Sequence, residues 1–89
     1  QAILVAPNME EGFINRGCLF SNLNKHDDAI RDFSEALRIN EKSARALNNR
    51  GASQLELRRF DEAISDFMSA LEISPEYGKR QKVIYAENG

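Results

Sequence analysis

Residues 10–43 read EEGFINRGCLFSNLNKHDDAIRDFSEALRINEKS, and residues 44–77 read ARALNNRGASQLELRRFDEAISDFMSALEISPEY. Aligned without a gap, the two stretches agree at 12 of 34 positions, where ordinary composition would give about two identities. A gap-free period of this length is typical of stacked helix pairs, so the repeat predicts an all-α fold. The identical pairs are Asn15/Asn49, Arg16/Arg50, Gly17/Gly51, Leu23/Leu57, Asp27/Asp61, Ala29/Ala63, Ile30/Ile64, Asp32/Asp66, Phe33/Phe67, Ala36/Ala70, Leu37/Leu71 and Ile39/Ile73.

Each copy divides into two helices separated by a polar turn. Apolar residues recur at helical spacing in each half, and the runs 22–26 and 58–60 interrupt that spacing. Acidic pairs follow both runs and suit helix N-termini, while Ser43 is the predicted N-cap of a third helix over about 44–57. The predicted apolar faces are Phe13, Phe20 and Leu23 in the first helix and Ala29, Ile30, Phe33, Ala36, Leu37 and Ile39 in the second.

The flanking residues extend the pattern in both directions. When the 34-residue period is extended upstream, residues 1–9 align with the end of the second helix of a repeat. This alignment predicts that they are the remnant of a preceding repeat, and a disordered leader is the alternative. Asn8 is the predicted N-cap of the first complete helix. Because the chain begins with Gln1 rather than Met, we expect a longer parent protein. Residues 78–89 predict a C-terminal capping helix, with a truncated third repeat as the alternative.

The repeat resembles the tetratricopeptide repeat family, whose 34-residue unit has large apolar, Gly, aromatic, Ala, Phe and Pro positions. The resemblance implies a helical-repeat solenoid of two antiparallel helix pairs, residues 10–43 and 44–77, plus the capping helix. Departures are Arg16 and Arg50 at the usual Leu, Gln54 at the aromatic position and Glu41 at the Pro. The matching residues are Phe13, Gly17, Phe20, Ala29, Phe33 and Ala36 in the first copy and Leu47, Gly51, Ala63, Phe67, Ala70 and Pro75 in the second.

Two glycines inside helices indicate close packing independently of that resemblance. A glycine in a helix interior costs about 1 kcal/mol relative to Ala, so Gly17 and Gly51 require a compensating contact. We expect Gly17 to face Ala29, with Phe33 filling the space beside them, and the second copy to repeat the arrangement. The repeated Arg16/Asp32 and Arg50/Asp66 set predicts ion pairs between packed helices, with a ligand role as the alternative.

Composition excludes several classes of function. A net charge of −2 and a pI near 5.4 provide no basic surface for a nucleic acid, and no apolar run approaches the length of a membrane span. The single cysteine, Cys18, excludes an internal disulfide and fits a reducing, intracellular compartment, most simply the cytoplasm.

Residues that could carry catalysis are few and isolated. His26, the only histidine, falls in a turn where the second copy has Phe60, and Cys18 has no activating cation on its helix face. The acidic pairs 27–28 and 61–62 are explained as negative charges that stabilise helix N-termini rather than as catalytic carboxylates. The sequence predicts neither enzymatic activity nor a bound metal or cofactor.

The predicted functional residues lie on the first helix of each repeat. In tetratricopeptide arrays these helices line a concave groove, so the resemblance implies that peptides bind there. Asn15 and Asn49 occupy equivalent positions and would form a row of amides able to donate to and accept from a peptide backbone. Ile14, Ser21 and Leu55 are expected to be exposed on the same face. The candidate groove residues are Glu11, Asn15, Cys18, Asn22, Arg45, Asn48, Asn49, Ala52 and Glu56.

The favoured function is a non-catalytic scaffold that binds a protein or peptide partner in the groove. One alternative is self-association through apolar ends around residues 3–5 and 84–85. A second is a co-chaperone clamp for acidic chaperone tails. The clamp is only half present, because Ile14 and Cys18 stand where the family has Lys and Asn, while Asn49 and Lys79 fit. RNA binding would require a basic face, which Arg45 alone does not provide.

Overall fold

The computed structural model describes residues 9–76, which contain four α-helices. Turns of three or four residues join successive helices, and connections this short place each helix antiparallel to the next. Helix α1 packs on α2, α3 packs on α4, and α2 joins the two pairs by packing on α3. The helices are α1 (Met9–Asn22), α2 (His26–Ile39), α3 (Ala44–Glu56) and α4 (Phe60–Ile73).

This order confirms the all-α repeat predicted from the sequence, with two helices in each copy. The bounds differ slightly from expectation, because His26 and Phe60 begin α2 and α4 rather than lying in the preceding turns. The predicted remnant of an upstream repeat in residues 1–9 lies outside the described residues except for Met9, which begins α1. The Asn8 cap and the predicted capping helix of residues 78–89 also lie outside them.

The turns after α1 and α3 have the same backbone geometry. Asn24 and Arg58, one period apart, have φ values of 65° and 64° in the left-handed region. In each turn the amide of the next residue donates to the carbonyl five residues back at 2.8 Å, from Lys25 to Phe20 and from Arg59 to Gln54. These are Schellman motifs, which satisfy the last carbonyls of a helix and turn the chain sharply.

Helix α3 begins at a side-chain cap. The Ser43 hydroxyl accepts a hydrogen bond from the Ala46 amide at 3.2 Å, as predicted. Asn40, which follows α2, accepts a bond from the Lys42 amide through its side-chain oxygen at 3.1 Å. These two bonds fix the short connection from one repeat to the next and therefore the position of α3 beside α1 and α2.

Aromatic rings pack directly on the glycines inside each helix pair. A β-carbon on Gly17 would lie 2.6 Å from Cε1 of Phe33, and one on Gly51 would lie 2.8 Å from Cε1 of Phe67. The close packing expected at both glycines is therefore confirmed, although the nearest neighbour is the phenyl ring rather than Ala29. The buried alanines that let the helices approach are Ala29, Ala36, Ala63 and Ala70.

Two predicted positions are wrong. Ile14, expected on the exposed face, is 1% exposed and belongs to the core beside Ala46, because α3 packs across this side of α1 and α2. Leu23, assigned to the buried face of the first helix, is 65% exposed because α1 ends at Asn22 and the chain turns away there. Phe13 and Phe20 are partly buried against the core, as expected.

Candidate functional site

The predicted groove residues come from α1 and α3, which lie side by side. We call the surface formed by these two helices the α1–α3 face. The contacts between the two helices join positions that are equivalent in the two repeats or offset by up to about one helical turn. Side-chain contacts across the face join Glu11 and Asn15 to Arg45, and Cys18 to Asn49. Asn48 is half-buried, and the remaining predicted residues, Asn22, Ala52 and Glu56, are exposed.

Arg45 is the centre of the first group of contacts. Its Nη1 donates to Oε2 of Glu11 at 3.1 Å, and its Nη2 donates to Oδ1 of Asn15 at 3.4 Å. Both members of the ion pair are about half exposed, with side-chain exposures of 50% for Arg45 and 59% for Glu11. Pairs this exposed contribute about 0–1 kcal/mol to stability, so the contact orients Arg45 without fixing it in place.

The second amide of the predicted row is also engaged. Nδ2 of Asn49 donates to Sγ of Cys18 at 3.6 Å, and Asn49 is half-buried rather than directed into solvent. Of the two amides, Asn49 is therefore the less accessible, because it contacts Cys18 of α1. Asn15 is exposed as expected. A thiol sulfur is a weak acceptor, so Asn49 keeps most of its capacity to bind another group.

Ser53 is a contact residue that the sequence did not indicate. It is 1% exposed, and its hydroxyl lies 3.4 Å from the hydroxyl of Ser21 on α1. Its counterpart in the first copy, Leu19, is 61% exposed. The difference arises because α3 has α1 beside it at this position, whereas no described helix covers Leu19. Sequence alignment of the copies cannot detect such a difference.

Ion pairs inside each repeat hold the face in position. Nε and Nη2 of Arg16 donate to the two carboxylate oxygens of Asp32 at 2.7 and 2.9 Å, and Arg50 donates to Asp66 at the same distances. The aspartates are almost completely buried, which confirms the predicted structural ion pairs. In both arginines the pKa is raised above its ordinary value, first by the hydrogen bond to the aspartate.

The second pair differs from the first in its surroundings. Nη1 of Arg50 donates to the Ser34 hydroxyl of α2 at 3.1 Å, so this guanidinium joins the two repeats. Arg16 instead has its guanidinium 5.8 and 5.9 Å from the ring centroids of Phe13 and Phe20. Its side chain is 61% exposed, against 25% for Arg50. Arg50 is therefore a structural link between repeats as well as within one.

The chemistry offered by residues 9–76 is that of hydrogen bonding. In this part of the chain no three His, Cys, Asp or Glu side chains come together as metal ligands would. Cys18 contacts an amide, and Nδ1 of His26 is buried at the start of α2, away from the α1–α3 face. None of the described helices is long and apolar enough to cross a membrane. The amides, the Arg45 guanidinium and the carboxylates on the α1–α3 face are groups suited to binding a polypeptide.

Two helix pairs with a 34-residue period and close glycine–aromatic contacts define a helical-repeat protein. The family model for the tetratricopeptide repeat matches residues 14–78, and the chain belongs to this family. Proteins of the family generally mediate protein–protein interactions and are typically non-catalytic. Among curated proteins, none matches the chain closely enough to count as a relative.

Proposed function

We propose that the α1–α3 face binds an extended peptide or partner segment, with the amides of Asn15 and Asn49 contacting its backbone. The observation that carries the proposal is the pairing of polar residues across α1 and α3. This pairing supports the proposal because it brings polar groups of both repeats together on one surface. An amide both donates and accepts, so it can bind a peptide backbone whatever the side chains are.

The contacts that these amides make in the free protein are weak ones. The distance of 3.4 Å from Nη2 of Arg45 to Oδ1 of Asn15 exceeds the usual range for a strong N–H···O bond. The second amide bonds only to the sulfur of Cys18. A peptide that offers backbone carbonyl and amide groups would replace both contacts with better hydrogen bonds, so little interaction energy is lost when it binds.

Charged residues around the amides would select among peptides. Arg45 lies beside Asn15, while Glu11 and Glu56 place negative charge on either side. A peptide with a carboxylate near Arg45 would compete with Glu11 for the guanidinium. A peptide with a basic residue near Glu56 would gain a second contact. Both effects are electrostatic between exposed groups and should weaken as salt is added.

Of the two alternatives, the chaperone-tail clamp is disfavoured, since Ile14, at its first cation position, is 1% exposed. One observation supports the other alternative, self-association: α4 exposes a row of apolar residues.

The experiment is selection of peptides from a display library on the whole chain, followed by titration of a selected peptide against Asn15→Ala, Asn49→Ala and the double variant. Each lost hydrogen bond contributes about 0.5–1.5 kcal/mol, so the double variant should bind about one to two orders of magnitude more weakly. Arg31→Ala, at an exposed position on α2, is the matched control and should bind normally. Wild-type affinity in the folded double variant would refute the proposal.

A further inference from the structure

A cleft opens between α2 and α4, above the surface of α3. Both helices pack on α3, and the cleft between them has a volume of about 510 Å³ and is open to solvent. Its floor is formed by Arg50 and Gln54 of α3, and its rim includes the exposed acidic residues at the start of α4. The groove residues predicted on α1 and α3 do not line it, so the cleft is a surface separate from the α1–α3 face.

Gln54 gives the floor of the cleft its chemical character. The residue is 7% exposed, and its side-chain oxygen Oε1 is buried without a hydrogen-bond partner among the described residues. The equivalent residue of the first copy is Phe20, which packs against the core. A buried acceptor without a partner destabilises a folded protein, so such acceptors are rare. Its presence in a cleft indicates a ligand that donates a hydrogen bond there.

The two arginines that line the cleft are already paired. Arg50 donates to both carboxylate oxygens of Asp66, at 2.7 and 2.9 Å. Arg59 donates to Oδ1 of Asp27 at 3.2 Å. An anionic ligand would have to compete with a carboxylate for either guanidinium, which makes the cleft a poor site for an anion.

The acidic residues on the rim favour a cation instead. Asp61 and Glu62 are exposed and line the cleft, and the ion pairs among the described residues do not include them. The pKa of Arg50 is raised first by its hydrogen bond to Asp66, and the charge of Glu62 adds a smaller contribution. The Glu62 carboxylate therefore acts over the floor of the cleft, where a cationic ligand would be attracted to it.

We propose that the cleft binds an arginine side chain of a protein partner, with its guanidinium contacting Oε1 of Gln54 and the carboxylates of Asp61 and Glu62. A guanidinium has five N–H donors in a rigid fork, so it can bond to acceptors on the floor and on the rim at the same time. It is also more weakly hydrated than an ammonium group, which lowers the cost of entering a partly buried site. This second binding site does not depend on the α1–α3 face.

The surface beside the cleft favours a polypeptide over a small guanidine compound. Phe60 and Ile64 directly precede the lining residues Asp61 and Ser65 on α4, and they are 52% and 54% exposed. A polypeptide whose arginine enters the cleft could cover these apolar side chains with its neighbouring residues, which is favourable. A small ligand confined to the cleft would leave them in water.

The test is an NMR titration of the whole ¹⁵N-labelled chain with N-acetyl-arginine N-methylamide, which is arginine as it occurs within a peptide. We expect saturable shifts of the Gln54 side-chain amide signals with a dissociation constant of ~1–10 mM, as for a ligand of this size. The citrulline analogue has a similar shape without the charge and should bind at least about tenfold more weakly. The side-chain signals of Asn15 and Asn49 should not move, which separates this site from the α1–α3 face.

Two variants test the contacts assigned to the guanidinium. Gln54→Met keeps the size of the side chain but removes the acceptor, so binding should weaken at least about fivefold. The same change should raise the midpoint of thermal unfolding, because an unpaired buried oxygen is replaced by an apolar group. Glu62→Gln should weaken binding about two- to fivefold. Glu72→Gln, at an exposed position of α4 outside the cleft, is the matched control and should bind normally.

Any of four results would overturn the proposal. Equal affinity for the citrulline analogue would mean that the charge is not recognised. Unchanged affinity in folded Gln54→Met would mean that the buried oxygen does not contact the ligand. Free arginine that binds more than about tenfold more tightly than the blocked form would assign the site to the amino acid rather than to a partner protein. Absence of any saturable shift would mean that water alone occupies the cleft.

Discussion

The phenyl ring of Phe33 lies on the backbone of α1 at Gly17, with Cε1 only 2.6 Å from where a β-carbon would stand. Phe67 and Gly51 repeat this contact at 2.8 Å. Real β-carbons do not approach ring atoms so closely, so glycine at these positions is a requirement of the helix-pair geometry. The contact fixes how near the two helices of a repeat can lie.

Gly51→Ala should therefore destabilise the protein even though alanine favours a helix. The added methyl must displace the Phe67 ring, and overpacking of this kind costs about 1–3 kcal/mol. Gly12→Ala is the matched control, since nothing lies within 4 Å of a β-carbon there. At that position alanine should stabilise α1 by about 0.5–1 kcal/mol. Urea unfolding measures the stability of both variants. Equal shifts of the two unfolding midpoints in the same direction would contradict the Gly51–Phe67 contact.

The two phenylalanines should differ in what they contribute. Phe33 is 1% exposed, between the two helices of its own repeat and in contact with the core that includes Ala46, whereas Phe67 is half-buried. Phe33→Ala should cost about 3–5 kcal/mol, which is enough to unfold a domain of this size. Phe67→Ala should cost less because part of its ring already contacts solvent. Thermal melts followed by circular dichroism test this order of stability, and a larger loss for Phe67→Ala would contradict it.

Arg58 occupies a backbone conformation that suits it poorly. Its φ of 64° lies in the left-handed region, where Asn24 stands in the first copy at 65°. The left-handed conformation costs an ordinary L-residue about 1–2 kcal/mol, and asparagine tolerates it better. Arg58→Asn should raise the midpoint of thermal unfolding, and the reciprocal change Asn24→Arg should lower it. Shifts of the same sign in both variants would mean that side-chain contacts, rather than φ, determine these positions.

Arg50 should matter more than the equivalent Arg16. Its guanidinium binds both oxygens of Asp66 and the hydroxyl of Ser34, and its side chain is 25% exposed against 61% for Arg16. Either substitution leaves a nearly buried aspartate without its partner, which costs up to about 3–5 kcal/mol. Arg50→Ala also removes the hydrogen bond to Ser34 and the packing of a mostly buried side chain, so it should be more destabilising than Arg16→Ala in urea unfolding. Equal losses would show that the contact to Ser34 does not stabilise the packing of the repeats.

Most of this fold could be predicted from the sequence because the same pattern of helix-forming and core residues occurs in both copies of the repeat. The four helices and the glycine–phenylalanine contacts follow from local propensity and from a spacing that the two copies share, and the Ser43 cap follows from local propensity alone. The exposure of a side chain depends also on which helix packs beside it, and the neighbouring helix differs between the two copies. Ile14 is buried because α3 crosses it, and Ser53 is buried while its counterpart Leu19 is exposed. The family resemblance pointed to the α1–α3 face, whereas the contacts across it depend on how closely α3 packs beside α1.

The ion pair between Glu11 and Arg45 gives the last prediction, which concerns how readily the α1–α3 face can exchange partners. The pair joins equivalent positions of the two repeats at 3.1 Å, with both side chains about half exposed. Exposed pairs couple by only about 0.2–1 kcal/mol and are screened by salt. A double-mutant cycle with Glu11→Ala and Arg45→Ala should therefore give a small coupling free energy at low salt and almost none in ~1 M NaCl.

The same cycle on Arg50 and Asp66 is the internal control for this measurement. That pair is bidentate and its carboxylate is nearly buried, so its coupling should persist at high salt. If the Glu11–Arg45 coupling also persisted, Arg45 would be held rigidly and could not turn to a peptide carboxylate. If it is screened as expected, Glu11→Gln should release Arg45 and increase the affinity for peptides with an acidic residue, while peptides without charge bind as before.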